Sequence, residues 1–139
     1  MEPQLITDYV ATGKVSLEYR DFTWNTESTD AAAASDCALD QGKYWQYHDT
    51  LFLNQHGENQ GAFSRDRLKQ MASELGLDTN KFNQCLDSGQ HAQDVTDSSN
   101  GAISAGFSGT PGFLLNGQKY NYSTYGNLKS AIEAELAKQ

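Results

Sequence analysis

The alternation of apolar and polar positions predicts a largely helical chain with short strands toward both ends. Apolar residues recur at helical spacing over residues 2–12, which predicts a first helix. Residues 14–22 then alternate, with Val15, Leu17 and Tyr19 apolar and their neighbours polar. This period of two is typical of a strand with one buried face.

The middle of the chain repeats the helical pattern, with Gly, Ser and Asp at the breaks between segments. The predicted helices cover residues 27–41, 43–54, 65–75, 79–87 and 90–105. An aromatic group within the second of them is predicted to be core, because aromatic residues at helical spacing are usually buried. Its members are Tyr44, Trp45, Tyr47 and Phe52. The alternative is that an exposed remainder of the group lines a groove for peptide.

A turn and a hairpin follow the last of these helices. Ser-Gly-Thr-Pro at 108–111 precedes an apolar run that ends in Asn116-Gly117, a strong signal for a tight hairpin turn. Strands are therefore predicted at 112–115 and 119–122, and a final helix begins after Ser123 or Thr124. Pro111 cannot donate a backbone hydrogen bond, so it marks the start of a strand rather than its middle.

Composition and charge narrow the classes of function. The chain has 139 residues, enough for one domain with a core, and its net charge of −8 argues against nucleic-acid binding. No run approaches the roughly 20 apolar residues that span a bilayer.

The two cysteines, Cys37 and Cys85, form neither a Cys-x-x-Cys motif nor a zinc-ligand pattern. They could be buried thiols, a disulfide or ligands. The three histidines show no metal-ligand spacing, so no metal or cofactor is predicted.

The segment at 108–111, with the apolar run and Asn-Gly after it, resembles the cis-proline segment of thioredoxin-fold oxidoreductases, and most closely that of the DsbA-like branch. Residues 13–22, 33–52 and 76–87 also resemble that branch. The resemblance implies an α/β, thioredoxin-like fold of DsbA type with an inserted helical subdomain. It further implies a single domain over 1–139, with about 24–106 as the inserted helical region and 1–23 and 107–139 as the thioredoxin-like part.

The resemblance implies a thiol-disulfide oxidoreductase that acts on protein disulfides, but the catalytic dithiol of the family is missing from this chain. In the family, a strand and a Cys-x-x-Cys motif precede the helix that corresponds to residues 2–12. We therefore expect an N-terminally incomplete oxidoreductase whose first strand is absent and which contains no catalytic residue. The alternative is a redox-inactive module that binds extended polypeptide at the cis-proline groove. A glutathione-dependent isomerase of the kappa type is a third possibility that no feature favours.

The resemblance also assigns roles to four residues. Thr110 and Pro111 are expected to bind extended or unfolded polypeptide through backbone pairing, although Gly112 is smaller than the residue expected after the proline. Cys37 and Cys85 are expected to form a structural disulfide. That bond would imply an oxidising, extracytoplasmic location, reached through a leader not present in this chain.

The absent strand has a structural consequence. The strand at 14–22 and the one at 112–115 would have unpaired inner edges. Either the true protein is longer and supplies that strand itself, or the two strands pair directly with each other, or a second copy contributes a strand, as a homodimer or by strand exchange.

Overall fold

In the computed structural model, residues 2–138 are described and form helices with one short hairpin. The elements are α1 Glu2–Leu5, a π-helical turn Ile6–Val10, α2 Thr26–Leu39, α3 Tyr44–Leu53, α4 Arg65–Glu74, α5 Thr79–Ser88, α6 Ala92–Ser104, β1 Phe113–Leu115, β2 Gln118–Tyr120 and α7 Tyr125–Leu136. Within the described residues, none of these helices is both long and apolar enough to cross a membrane.

The chain divides into two compact units. The helical unit is Asp21–Ile103, and the other, the hairpin unit, consists of the residues up to Arg20 together with those from Ser104 onward. Each unit has a buried apolar cluster of its own.

The helical unit is built around α2, which packs against α3, α4 and α5. The buried face of α2 is made of small side chains, namely residues 31–34, Cys37 and Ala38. Small residues on a helix surface allow neighbouring helices to come close, and alanine also has the highest helix propensity. Larger side chains from the surrounding helices complete this core, including Tyr47, Leu68 and Phe82, each fully buried.

The ends of these helices follow local signals in the sequence. The side chain of Asn25 accepts a hydrogen bond from the Ser28 N–H, and the Ser28 hydroxyl accepts one from the Asn25 N–H, which together form a capping box. Asp78 caps α5 by accepting hydrogen bonds from the N–H groups of Asn80 and Lys81. Gly89 ends α5 with a φ of 67°, a left-handed conformation that favours glycine.

The hairpin unit packs its first helical segment against α7. Leu5, Tyr9, Leu128 and Ile132 form its buried cluster. The Tyr9 hydroxyl donates a hydrogen bond to Glu133, and the Tyr125 hydroxyl donates one to Asp8 at 2.6 Å. Two phenol–carboxylate pairs therefore reinforce the apolar contact between segments that lie far apart in sequence.

The prediction of a single α-helix over residues 2–12 is wrong about the type of helix, because only Glu2–Leu5 is α-helical. After α1 the backbone widens into a π-helical turn, in which the Ala11 N–H donates to the Ile6 carbonyl at 2.8 Å. The Lys14 N–H reaches back by the same five residues to Tyr9, at 3.0 Å. The predicted periodicity still places Leu5 and Tyr9 on the buried side.

The strand predicted over 14–22 is also wrong, because residues 15–24 have no regular secondary structure. Val15 and Leu17 do pack against the apolar cluster of the hairpin unit, so the alternation correctly indicated that these two side chains face inward. Tyr19, the third apolar residue of the alternation, is 38% exposed. A strand also requires a backbone partner, and among the described residues β1 pairs only with β2. Direct pairing of residues 14–22 with β1 therefore does not occur.

The two ends of the helical unit are joined by hydrogen bonds. The Ser98 hydroxyl donates to the Asp21 carbonyl at 3.0 Å, and the Thr23 N–H donates to the Ser99 hydroxyl at 3.1 Å. The Asp21 carboxyl is partly buried here. Burial raises its pKa to about 6, and the nearby charge of Asp36 adds to this rise while His48 opposes it.

We expect Asp21→Asn to change the pH dependence of stability. The pKa of Asp21 is higher in the folded chain than the ordinary value near 4, so folding favours the neutral carboxyl. The neutral Asp21 carboxyl makes its full contribution to stability below pH ~4. As the pH rises through 6 this contribution is lost, and the free energy of unfolding falls by about 3 kcal/mol in all. Urea unfolding between pH 4 and 7 should therefore show the asparagine variant gaining stability relative to wild type. Parallel curves would contradict this assignment.

Candidate functional site

The segment predicted to bind polypeptide lies on the surface of the hairpin unit. Residues 108–112 are all exposed and lead directly into β1. The peptide bond between Thr110 and Pro111 is cis. Both residues are thus accessible, and both lie immediately before a strand.

The strand after this segment has one edge available within the described part of the chain. β1 pairs antiparallel with β2, and Phe113 lies opposite Tyr120 while Leu115 lies opposite Gln118. Leu114, between them, is 46% exposed. A strand paired on one side presents backbone N–H and C=O groups on the other side, which is the arrangement that accepts an added strand.

The glycine after the proline is explained by Phe107. A Cβ atom built on Gly112 would lie 2.5 Å from Cδ1 and 2.7 Å from Cε1 of the Phe107 ring, closer than real carbon atoms approach. The Lys119 ammonium lies 4.4 Å from the centre of the same ring and donates a hydrogen bond to the Gly106 carbonyl. The Phe107 ring therefore occupies the space that a larger residue at 112 would need.

The two cysteines are joined in a disulfide within the helical unit. Cys37 near the end of α2 and Cys85 in α5 have Cα atoms 5.9 Å apart, within the ordinary range for the bond. Both residues are buried, with 1% and 6% of their surface exposed. Neither lies at a helix N-terminus, where a thiolate would be stabilised, so this bond lacks the setting of a reactive dithiol.

Polar side chains surround one side of this disulfide. His91 donates or accepts hydrogen bonds at both ring nitrogens, with Nε2 2.9 Å from Asp40 Oδ2 and Nδ1 2.9 Å from Asp94 Oδ2. Burial lowers the pKa of His91, but its hydrogen bonds with the two carboxylates outweigh burial and leave the pKa raised. One ring nitrogen of His91 and the sulfur atoms of Cys37 and Cys85 all lie within 4.8 Å of one another.

Sequence reasoning missed this grouping and the role of Phe107. His91 follows Cys85 by six residues, and Cys37 lies far away along the chain, so no local spacing brings them together. Their proximity depends on the packing of α2 against α5 and on the turn at Gly89. For Phe107, the available signal was the unexpectedly small residue at Gly112.

The aromatic group on α3 is only partly core. Tyr47 is fully buried and donates a hydrogen bond to the Leu68 carbonyl at 2.9 Å. Trp45 and Phe52, however, are 41% and 56% exposed, so the core assignment is wrong for them. Their rings pack around His48, at centroid separations of 5.4 and 4.7 Å, on a different side of the helix from Tyr47.

Comparison with known proteins identifies the family. A family model described as "Thioredoxin" matches residues 1–134. The chain therefore belongs to the thioredoxin family. The resemblance to the DsbA-like branch is confirmed by the relatives and the solved structure described next.

Several curated relatives that match almost the whole chain are named for disulfide chemistry. A Rickettsia felis protein named as a protein-disulfide oxidoreductase is 27% identical over 139 residues, which cover 99% of this chain and 50% of the relative. A Bacillus cereus protein named as disulfide bond formation protein D is 27% identical over 141 residues, covering 98% of this chain and 65% of that protein. The chain thus spans about half to two thirds of the length of these relatives.

A solved structure supports the fold. The crystal structure of oxidised BdbD from Bacillus subtilis matches with a TM-score of 0.87 and 23% sequence identity, over 97% of this chain and 76% of BdbD. The fold class predicted from the sequence is confirmed as thioredoxin-like, of DsbA type. The described part of this chain is mostly helical and has a two-stranded sheet, which agrees with a helical insertion.

A methyl group at position 112 should destabilise the chain. We expect Gly112→Ala to lower the free energy of unfolding by about 1–3 kcal/mol, because the new Cβ collides with the Phe107 ring. Gly109→Ala is the matched control, since a Cβ there has nothing within 4 Å. Urea unfolding of both variants measures the difference. Introducing Gly112→Ala into a Phe107→Ala background should cost less, and an equal cost in both backgrounds would contradict the steric explanation.

Proposed function

We propose that this chain is the polypeptide-binding part of a DsbA-like protein disulfide oxidoreductase. The observation that carries the proposal is the exposed segment at residues 108–112, which leads directly into β1. An extended polypeptide laid beside Thr110 and Pro111 would pair with the backbone of this segment, which precedes β1. The names of the relatives support an oxidoreductase as the class of protein.

Binding at this segment would depend mainly on the backbone. Hydrogen bonds along a strand edge are independent of side-chain identity, so they suit a partner that is unfolded and varied in sequence. The exposed Leu114 side chain adds an apolar contact beside that edge. We therefore propose extended or unfolded polypeptides, rather than one folded protein, as the substrates.

Catalysis would require a dithiol that the 139 residues do not contain. The two cysteines of the chain are joined in a disulfide, and neither lies at a helix N-terminus, where a thiolate would be stabilised. A Cys-x-x-Cys motif outside these residues would supply the dithiol, together with the strand that residues 14–22 and β1 lack. We propose the hairpin unit as the thioredoxin-like part and the helical unit as the inserted region of one domain, with boundaries near residues 23 and 107.

The second candidate is a redox-inactive module that holds extended polypeptide at the same segment. The burial of both cysteines favours it, because it leaves the chain a binding surface without a reactive thiol. In this case a second copy could contribute the missing strand, as a homodimer or by strand exchange. Under either candidate, the disulfide favours an extracytoplasmic location.

Pro111→Ala should weaken polypeptide binding. The proline ring fixes φ and keeps the exposed segment in one conformation, whereas alanine lets it move and adds an entropic cost to binding. We expect about 10-fold weaker binding of a reduced, alkylated polypeptide by titration calorimetry, which is about 1.4 kcal/mol. Pro3→Ala, an exposed proline in α1, is the control and should bind as wild type does. Equal affinity for all three proteins would exclude this segment as the binding site.

The oxidoreductase proposal is tested on the protein from its source cells. Its intact mass without reductant, after thiol alkylation, shows whether a longer form with two more cysteines exists. We expect such a form to catalyse oxidative refolding of a reduced protein, and we expect the 139-residue chain alone to give no turnover. A native mass equal to that of this chain, 15.3 kDa, with no turnover would favour the redox-inactive module.

A further inference from the structure

The disulfide of the helical unit has the surroundings of a metal site. The sulfur atoms of Cys37 and Cys85 and one ring nitrogen of His91 lie within 4.8 Å of one another. Asp40 adds an oxygen, with Oδ2 3.9 Å from Cys85 Sγ and 2.9 Å from His91 Nε2. Two sulfurs, an imidazole and a carboxylate are ligands that Zn²⁺ accepts.

We propose that reduction of the Cys37–Cys85 disulfide creates a Zn²⁺ site at this position. A dithiol reductant supplies two electrons, the S–S bond breaks, and the reductant leaves as its own disulfide. When Zn²⁺ binds, the two resulting thiols lose their protons and bind the ion as thiolates. His91 Nε2 and Asp40 Oδ2 complete a four-coordinate site.

One ligand pair already has nearly the separation of tetrahedral coordination, whereas His91 Nε2 and Asp40 Oδ2, 2.9 Å apart, must move slightly farther from each other. Zn–S bonds of about 2.3 Å and Zn–N bonds of about 2.0 Å place neighbouring ligand atoms roughly 3.3–3.8 Å apart. The sulfur of Cys85 and the Asp40 oxygen already lie near this spacing. Once the covalent bond is broken, the two sulfurs can separate toward it by side-chain rotation.

The histidine is already oriented for this role. In zinc sites, the ring nitrogen that does not bind the metal usually donates its proton to a carboxylate, which fixes the tautomer and the ring plane. Asp94 Oδ2 occupies that position, 2.9 Å from His91 Nδ1. Asp94 would act as a positioning residue, holding Nε2 toward the sulfur atoms.

Access to the disulfide comes from an open pocket of about 270 Å³, whose lining includes Cys37, Cys85 and Asp40. Reductant and ion can therefore approach the sulfur atoms although these are buried from most directions. All four proposed ligands of the site belong to the helical unit. A bound Zn²⁺ would thus replace the covalent bond between α2 and α5 when that bond is reduced.

The test uses the full chain, reduced with a phosphine and titrated anaerobically with Co²⁺ and with Zn²⁺. We expect one Co²⁺ per chain, with thiolate charge-transfer absorption and the intense visible bands of tetrahedral cobalt, and displacement of Co²⁺ by Zn²⁺. The oxidised chain should bind no Co²⁺ in this way. Zn²⁺ should also raise the melting temperature of the reduced chain. Absence of a tetrahedral spectrum, or binding by the oxidised chain, would overturn the proposal.

Variants separate this site from adventitious thiol binding. His91→Gln should weaken Co²⁺ binding at least 10-fold, whereas His56→Gln, at an exposed histidine in a loop, should leave it unchanged. Asp94→Asn should weaken binding about 10-fold, as is usual for the partner of a ligating histidine. Equal affinity of the His91→Gln and His56→Gln variants would show that the histidine is not a ligand and would overturn the site as proposed.

Discussion

The close packing around α2 is the constraint on which the helical unit depends. A run of alanines, interrupted only by small residues, lets α3, α4 and α5 approach one helix from several sides. Enlarging any buried position of that run would push a neighbouring helix outward, because packed cores have little free volume. Near the C-terminal end of the same helix, the disulfide between Cys37 and Cys85 links α2 covalently to α5. The position of α5, and of the turn that follows it, is thus determined by the small residues of α2.

The two parts of the molecule have opposite chemical characters. In the hairpin unit, the residues around Thr110 are exposed. In the helical unit, the sulfur atoms are buried and their neighbours are ionisable side chains. A surface that binds varied polypeptides needs access and little side-chain specificity, whereas a cross-link needs enclosure and fixed geometry. The fold supplies both properties at separate places.

Much of the fold could be predicted from sequence because its signals are local. Helical periodicity, the cap at Asp78 and the Asn116-Gly117 turn each depend on a few neighbouring residues, and the structure has the helices and the hairpin that they indicate. The strand at 14–22 was wrong because alternation reports burial of one face, while a ladder needs a backbone partner. The exposure of Trp45 and Phe52 was missed because helical spacing does not show which side of α3 meets its neighbours.

The candidate sites were predictable to different degrees. Thr110 and Pro111 are candidates from a short motif and a family resemblance, since the residues involved are consecutive. The grouping of His91 with two sulfur atoms depends on helices that meet only in three dimensions. No spacing along the sequence could indicate it.

The hydrogen bonds that join Asp21 and Thr23 to Ser98 and Ser99 have a consequence for how such a chain could change during evolution. They bring together residues 76 and 77 positions apart, so the helical unit begins and ends at nearly the same place. A segment with adjacent ends can be inserted into another domain, lengthened or replaced without pulling its host apart. The serine pair on α6 thus holds the two ends of the helical unit together, which is the geometry that insertion of a segment requires.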